Sequence, residues 1–221
     1  TAAKLTGLTI TDTGTANVSV TALAADTDLS NVSIAGNLTV DYSTDADVTF
    51  IGTLGTVAGT TTFNMASNQT LTATAAKLTG LTITDTGTAN VSVTAIDVDT
   101  DLSGVDIAGT KTATVTSTKV LTTANLNGFA IDIADGANLT GTDAQIGDLT
   151  ITDAGANTTV TVTAIATNVD LGGITVNGSG STLAATVTAD TILAVGADLN
   201  SASVDIADTF TLTAAASQVG G

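Results

Sequence analysis

The 221-residue chain carries 21 acidic side chains, all Asp, against four Lys, and it has no Glu, Arg, His, Cys, Trp or Pro, for a net charge of −17. So negative a surface repels nucleic acid and anionic lipid and attracts cations, and the lack of Cys removes disulfides, thiolate metal sites and cysteine nucleophiles. Hydrophobic residues reach 43% but aromatics only 2%, so the apolar material is Ala, Val, Leu and Ile, which suits a narrow interior.

The residue supply favours strands and corners: Thr, Val and Ile fit a pleated surface, while Asp, Asn and Gly fit turns. No apolar run approaches the roughly 18 residues of a membrane-crossing helix, and no basic-then-apolar leader opens the chain. Because it starts at Thr1, inside a pattern and without Met, the sequence reads as a piece of something longer.

The first 22 residues, TAAKLTGLTITDTGTANVSVTA, recur unchanged from Thr74 to Ala95, and a degraded copy, GDLTITDAGANTTVTVTAI, runs from Gly147 to Ile165. Long self-similarity marks an array in which one unit buries its apolar face only when a neighbour stacks on it. The long repeats start near residues 1, 74 and 143 of a single continuous array.

Within each lies a shorter beat: an anchor Leu, a Gly or Asn two places on, then an alternating apolar pair. It reads Leu5-Thr-Gly7-Leu8-Thr-Ile10, Leu29-Ser-Asn31-Val32-Ser-Ile34, Leu78-Thr-Gly80-Leu81-Thr-Ile83 and Leu102-Ser-Gly104-Val105-Asp-Ile107. Looser versions stand at Leu54, Leu126, Leu171 and Leu199. After a turn each beat carries a second alternating segment, such as Val18-Ser-Val20, Leu38-Thr-Val40, Val91-Ser-Val93, Val160-Thr-Val162 and Phe210-Thr-Leu212.

Period-two alternation bounded by turn residues predicts strands. Two or three short strands per 24 residues predict an all-β fold, a parallel β-solenoid of about nine coils. The alternative is a row of tandem β-sandwich repeats, whose strands have unlike roles and whose cores usually hold a large aromatic; neither fits a beat at one-third of the long period.

Alternation sends Leu8, Ile10, Val18 and Val20 inward and Thr9, Thr11, Ser19 and Thr21 outward. The Gly or Asn of the beat is expected at positive φ. The absence of Pro suits strands whose N–H groups all reach a neighbouring coil. A 24-residue coil also predicts Lys4 over Asp28 and Lys77 over Asp101. Gly220-Gly221 offers no polar cap, so either end of the stack invites another strand.

Alternate carboxylates on a turn can converge on calcium, which makes Asp26, Asp97, Asp99, Asp101 and Asp170 the candidate ligands. Neither the glycine-rich calcium nonapeptide nor an EF-hand loop is present, so solvated acidic corners are the competing reading. A glycosidase is disfavoured, since with no His, Arg or Trp and a single Tyr there is little to hold and position a sugar. The Asn-x-Ser/Thr triplets, Asn17, Asn31, Asn37, Asn68, Asn90, Asn138, Asn157 and Asn177, follow from a composition rich in these residues. Regular outward Thr arrays also suit ice binding.

At AAKLTGLTITDTGTANVSVTA and DLSGVDIAGTKTATVTS the chain resembles the Thr/Ala/Gly/Asp-rich repeat regions of large secreted bacterial surface proteins. These are β-solenoid S-layer proteins and giant adhesins exported by type I machinery. The resemblance implies an extracellular, cell-surface location, a structural or adhesive role, and calcium dependence. The uncapped, exactly repeated stack without a chemical site points to a non-enzymatic, self-associating module of a surface layer or filament. The alternative that the resemblance implies is an adhesin spacer, or a segment meeting a cell-surface glycan.

Overall fold

The computed structural model describes residues 1–42, 47–153 and 155–219; Gly220 and Gly221 lie outside them. The architecture is all-β, with parallel strands stacked as a β-solenoid of about ten turns. The chain divides into two compact units, Thr1–Thr94 with Asp101–Lys111, and Ala95–Thr100 with Thr112–Gly221.

In the first unit one sheet stacks Val18–Thr21, Leu38–Tyr42, Thr61–Met65, Thr82–Asp85 and Val105–Asp106, all parallel. A second holds Ile10–Thr11, Val32–Ile34 and Thr56–Val57. A third face pairs Val48–Thr49, Thr70–Ala73 and Asn90–Val93. In the second unit Lys111–Val115, Ala130–Ile133, Ile151–Asp153 and Ile174–Thr175 form one face. Lys119–Val120, Leu139–Thr142, Thr159–Thr163, Thr182–Val187 and Ser203–Ile206 form the next, and Thr191–Ile192 pairs Leu212–Thr213.

The alternation works as period two dictates. Thr61–Met65 and Leu38–Tyr42 bury every second residue, and the core is a ladder of Val, Leu, Ile and Ala. The aromatics concentrate where the first unit has room, with Phe50 and Phe63 edge to face at a centroid separation of 5.9 Å. Tyr42 is buried, and its hydroxyl donates to the Thr70 carbonyl at 3.4 Å. Burial together with nearby Asp47 pushes its phenol up to about 12.

The beat proves to be a turn. The residue three places after the anchor donates its N–H to the anchor carbonyl: Leu8 to Leu5, Val32 to Leu29, Leu81 to Leu78, Val105 to Leu102, Phe129 to Leu126, Ile174 to Leu171 and Ala202 to Leu199, at 2.9–3.0 Å. The anchor side chain enters the core while its carbonyl closes the corner. Gly80 needs its glycine for a φ of +74°, whereas Gly104 does not lie at positive φ; there a Cβ would collide with the Leu81 carbonyl of the neighbouring coil. The expectation of positive φ throughout the beat is therefore met at only some of its positions.

Coil length also departs from 24. Registers run from 18 residues (Thr112 beside Ala130) to 23 (Leu38 beside Thr61), and Ile83 lies beside Val105 rather than Ile107. This is a slip of two residues, so the same side chains still face inward. Its source is local: Leu78 ends a four-residue helix, Ala75–Leu78, whereas Leu102 follows an extended loop. Among the described residues there are four such helices: α1 Ala2–Leu5, α2 Ala75–Leu78, α3 Asp143–Ile146 and α4 Ala216–Val219.

The two-residue slip removes the expected charge pairs. Thr79, not Lys77, lies beside Asp101, whose N–H meets the Thr79 hydroxyl at 3.4 Å, while the Lys77 ammonium donates to the Gly52 carbonyl. Neither Lys4 with Asp28 nor Lys77 with Asp101 forms an ion pair; among the described residues the ion pair is Lys119 with Asp97, at 2.9 Å.

Candidate functional site

The predicted calcium ligands serve the corners one at a time. In the loops at residues 24–27 and 97–100 the inward group is threonine. The hydroxyls of buried Thr27 and Thr100 accept from the N–H of Ala24 and Asp97 and donate to the carbonyls of the same two residues. A saturated local pair turns Asp26, Asp97 and Asp99 out to solvent. Asp97 is held by the Lys119 ammonium, whose hydrogen bond and charge keep its carboxyl below the usual range.

Asp101 and Asp170 play a different part. Each precedes an anchor Leu and accepts, through Oδ1, the N–H two residues on: Ser103 at 3.0 Å and Gly172 at 2.9 Å. Asp28 does the same with Ser30, Asn125 with Asn127 and Asp198 with Asn200. This side-chain turn presets the corner that the anchor carbonyl then closes. Ser103, through its hydroxyl and its N–H, lowers the Asp101 carboxyl, and Ser30 lowers Asp28 in the same way. The sequence signal was an Asp or Asn immediately before Leu29, Leu102, Leu126, Leu171 and Leu199. Among the described residues no group of three or more acidic side chains converges to hold a metal.

Asparagine has a related duty between coils. The Asn17 side-chain carbonyl accepts the N–H of Asn37 at 2.7 Å, and Asn37 accepts that of Thr60 at 2.9 Å. Asn90 serves Thr110 and Asn138 serves Thr159. Asn68 likewise accepts the Thr88 hydroxyl at 2.9 Å, so at least five of the eight Asn-x-Ser/Thr asparagines are structural rungs.

The helical corners bind the coil before them through one long side chain at the third position. Lys77 reaches the Gly52 carbonyl, Gln145 the carbonyls of Thr122 and Ala124, and Gln218 those of Ala194 and Ala197. Both glutamines also turn their Oε1 back to the N–H that opens the helix, at Thr142 and Ala215.

What remains open are edges. Ser203–Ile206 and Leu212–Thr213 are outermost strands of their sheets, as are Ile10–Thr11 and Val18–Thr21. Ile206 is 44% exposed, Ile192 67% and Leu8 51%, so the expected burial of Leu8 is not realised. A cavity of about 980 Å³ opens beside the edge strands, lined by Val195, Leu199, Val204, Ile206, Leu212 and Gln218 among others. Among the described residues no helix is long and apolar enough to cross a membrane.

No family model, no curated protein and no solved structure matches this chain.

Proposed function

We propose that this is an extracellular structural repeat module of a bacterial surface layer or filament, self-associating and without enzymatic activity. The observation that carries the reading is the unchanged recurrence of residues 1–22 at 74–95 in a stack of parallel coils whose apolar faces are buried against one another.

The polar side chains support the same reading by what they are used for. Asp, Asn, Thr and Gln close corners and bridge coils, and the chemistry of acid, base and nucleophile has no His, Cys or Arg to draw on. The extracellular location rests on the resemblance to secreted surface-repeat regions.

Sedimentation velocity and electron microscopy of the purified chain, across protein concentration, salt and calcium, test the proposal. Ordered filaments or sheets are the expected result. Dispersed monomers under every condition overturn it.

A further inference from the structure

The second unit carries one broad face whose chemistry differs from the rest of the surface. In the sheet that runs through Lys119–Val120, Leu139–Thr142, Thr159–Thr163 and Thr182–Val187, every second residue of the last three strands is buried and the others look outward. The outward residues stand in register from coil to coil. Val120 lies beside Thr140, Thr140 beside Thr161 and Thr161 beside Ala184, with Thr142 beside Thr163 and Thr159 beside Thr182 in the flanking columns. Leu139–Thr142, Thr159–Thr163 and Thr182–Val187 contain no charged residue. Lys119 stands in register with buried Leu139 and sends its ammonium to Asp97; charge returns to the sheet with Asp205 of the fifth strand, beside Thr186.

Other faces differ. In the first unit an outer column runs Asp41, Asn64, Thr84, Asp106, and the Asn64 amide donates to the Asp41 carboxylate while accepting from the Thr84 hydroxyl. In the other large sheet of the second unit, exposed Asp132 stands between Thr114 and Thr152.

Charge limits what can meet each face. In a two-fold contact both copies present the same patch, so the patch must be complementary to itself. On a chain of net charge −17 the acidic faces fail this condition, because like charges pressed together repel and lose their water. A threonine face meets it. Each hydroxyl both donates and accepts, so it pairs with another of its kind, and the branched side chain has few rotamers to lose on burial.

Shape selects the orientation. On the central column Val120 is 57% exposed and stands proud at one end, while Ala184 makes a dip at the other. A copy turned end over end, about an axis along the strands between Thr140 and Thr161, sets Val120 into the dip at Ala184 and Thr140 against Thr161. A copy in the same direction would set Val120 on Val120 and leave Ala184 facing Ala184, a collision beside a void.

We infer that this face is the lateral contact between two copies of the chain, packed antiparallel with Val120 against Ala184 and Thr140 against Thr161. The inference rests on the self-association proposed above and adds its face and orientation. The face lies along the side of the stack, where coils added before or after leave it uncovered. Four strands about 4.8 Å apart, each about six residues of about 3.3 Å, give roughly 400 Å² per partner, half the ~800 Å² of a stable complex. A single pair is therefore weak, and a layer would be held by many such contacts at once. Salt strengthens the contact by screening the acidic corners around it.

Sedimentation equilibrium at high protein concentration and raised salt reads the contact, with circular dichroism to confirm that each variant is folded. T161D places a carboxylate at the centre of the face and is expected to weaken association about tenfold or more. Thr152→Asp, an exposed residue of the other sheet, should change it by less than about twofold. A184V fills the dip and is expected to cost about tenfold. The double variant V120A/A184V exchanges knob and dip and should recover the parent's association. The two positions are three strands apart in one chain, so recovery comes only through a second copy. If the parent chain associates but T161D and A184V associate equally well, or the double variant fails to recover, the face and its orientation are wrong while self-association stands. If the parent chain stays monomeric at every concentration and salt, the proposed function itself falls, and this inference with it; shaping of ice crystals by that monomer, abolished in T161D, would then assign the face to ice.

Discussion

The two identical segments allow one residue to be deleted twice in the same sequence context. Ile83→Ala removes a side chain that is 0% exposed and lies between Phe63 on one side and Val105 on the other. Its loss combines transfer free energy with a cavity that two flanking coils cannot close, about 2–5 kcal/mol. Ile10→Ala removes the same side chain where Val32 covers one side and the other is open. Water fills that space, no cavity forms, and roughly 1 kcal/mol of transfer free energy is lost. The difference of about 1–4 kcal/mol shifts the urea midpoint well beyond its error. Far-UV dichroism in dilute, low-salt protein reads that midpoint. Amide exchange over Thr82–Asp85 and over Ile10–Thr11 shows which coil opens, because an array frays at its ends before it melts as a whole. Equal midpoint shifts for the two variants would refute the claim that the missing neighbouring coil sets the difference.

Gln145→Leu deletes the amide that joins Thr122, Ala124 and the N–H of Thr142; a loss of about 1–3 kcal/mol in stability is expected from the urea midpoint, against under ~0.5 kcal/mol for exposed Thr116→Ala. Tyr42 is the only tyrosine, so absorbance at the phenolate band follows it alone. The folded chain should titrate near 12 and the urea-unfolded chain near ~10. The raised folded value means that only the unfolded state loses its phenolic proton between the two, so this contribution to stability is intact below the unfolded pKa and is lost as pH rises through that window. A folded midpoint near ~10 would contradict the burial of the ring. For calcium, Asp97 is occupied by Lys119, and Asp101 and Asp170 by the N–H groups of their own turns. About 5 mM calcium should therefore raise the urea midpoint no more than magnesium does; a calcium-selective rise would expose a ligand set beyond these residues.

The stacked, parallel character of the fold was legible because alternation and the Leu-x-Gly beat are both written at coil scale. Coil length was not. The beat marks a turn, and a turn can sit two residues earlier or later against the next coil without exchanging the inner and outer faces, as Ile83 beside Val105 demonstrates. The helices escaped notice since Ala75–Leu78 is a single turn, too short for a helical period. Asp101 and Asp170, two of the candidate calcium ligands, also close corners; Asp28, Asp101, Asp170 and Asp198 each precede a leucine and accept the N–H two residues on. Lys77 went astray for the same reason as the coil length: its partner is the Gly52 carbonyl of the preceding coil, not an acid of the next.

The identity of Thr1–Ala22 with Thr74–Ala95 bears also on inheritance. Two matching stretches in one coding sequence are substrates for unequal crossing-over, and an exchange between them deletes or duplicates a block of 73 residues. Either product joins native sequence to native sequence: the segment following α1 is the segment following α2, so the hydrogen bonds at the seam already exist, Ile10 with Asn31 in one place and Ile83 with Gly104 in the other, at 3.0 and 2.9 Å. A lineage carrying such an array can lengthen or shorten it in a single step without evolving a new interface. Selection is then free to act on reach, the one property that such a step changes.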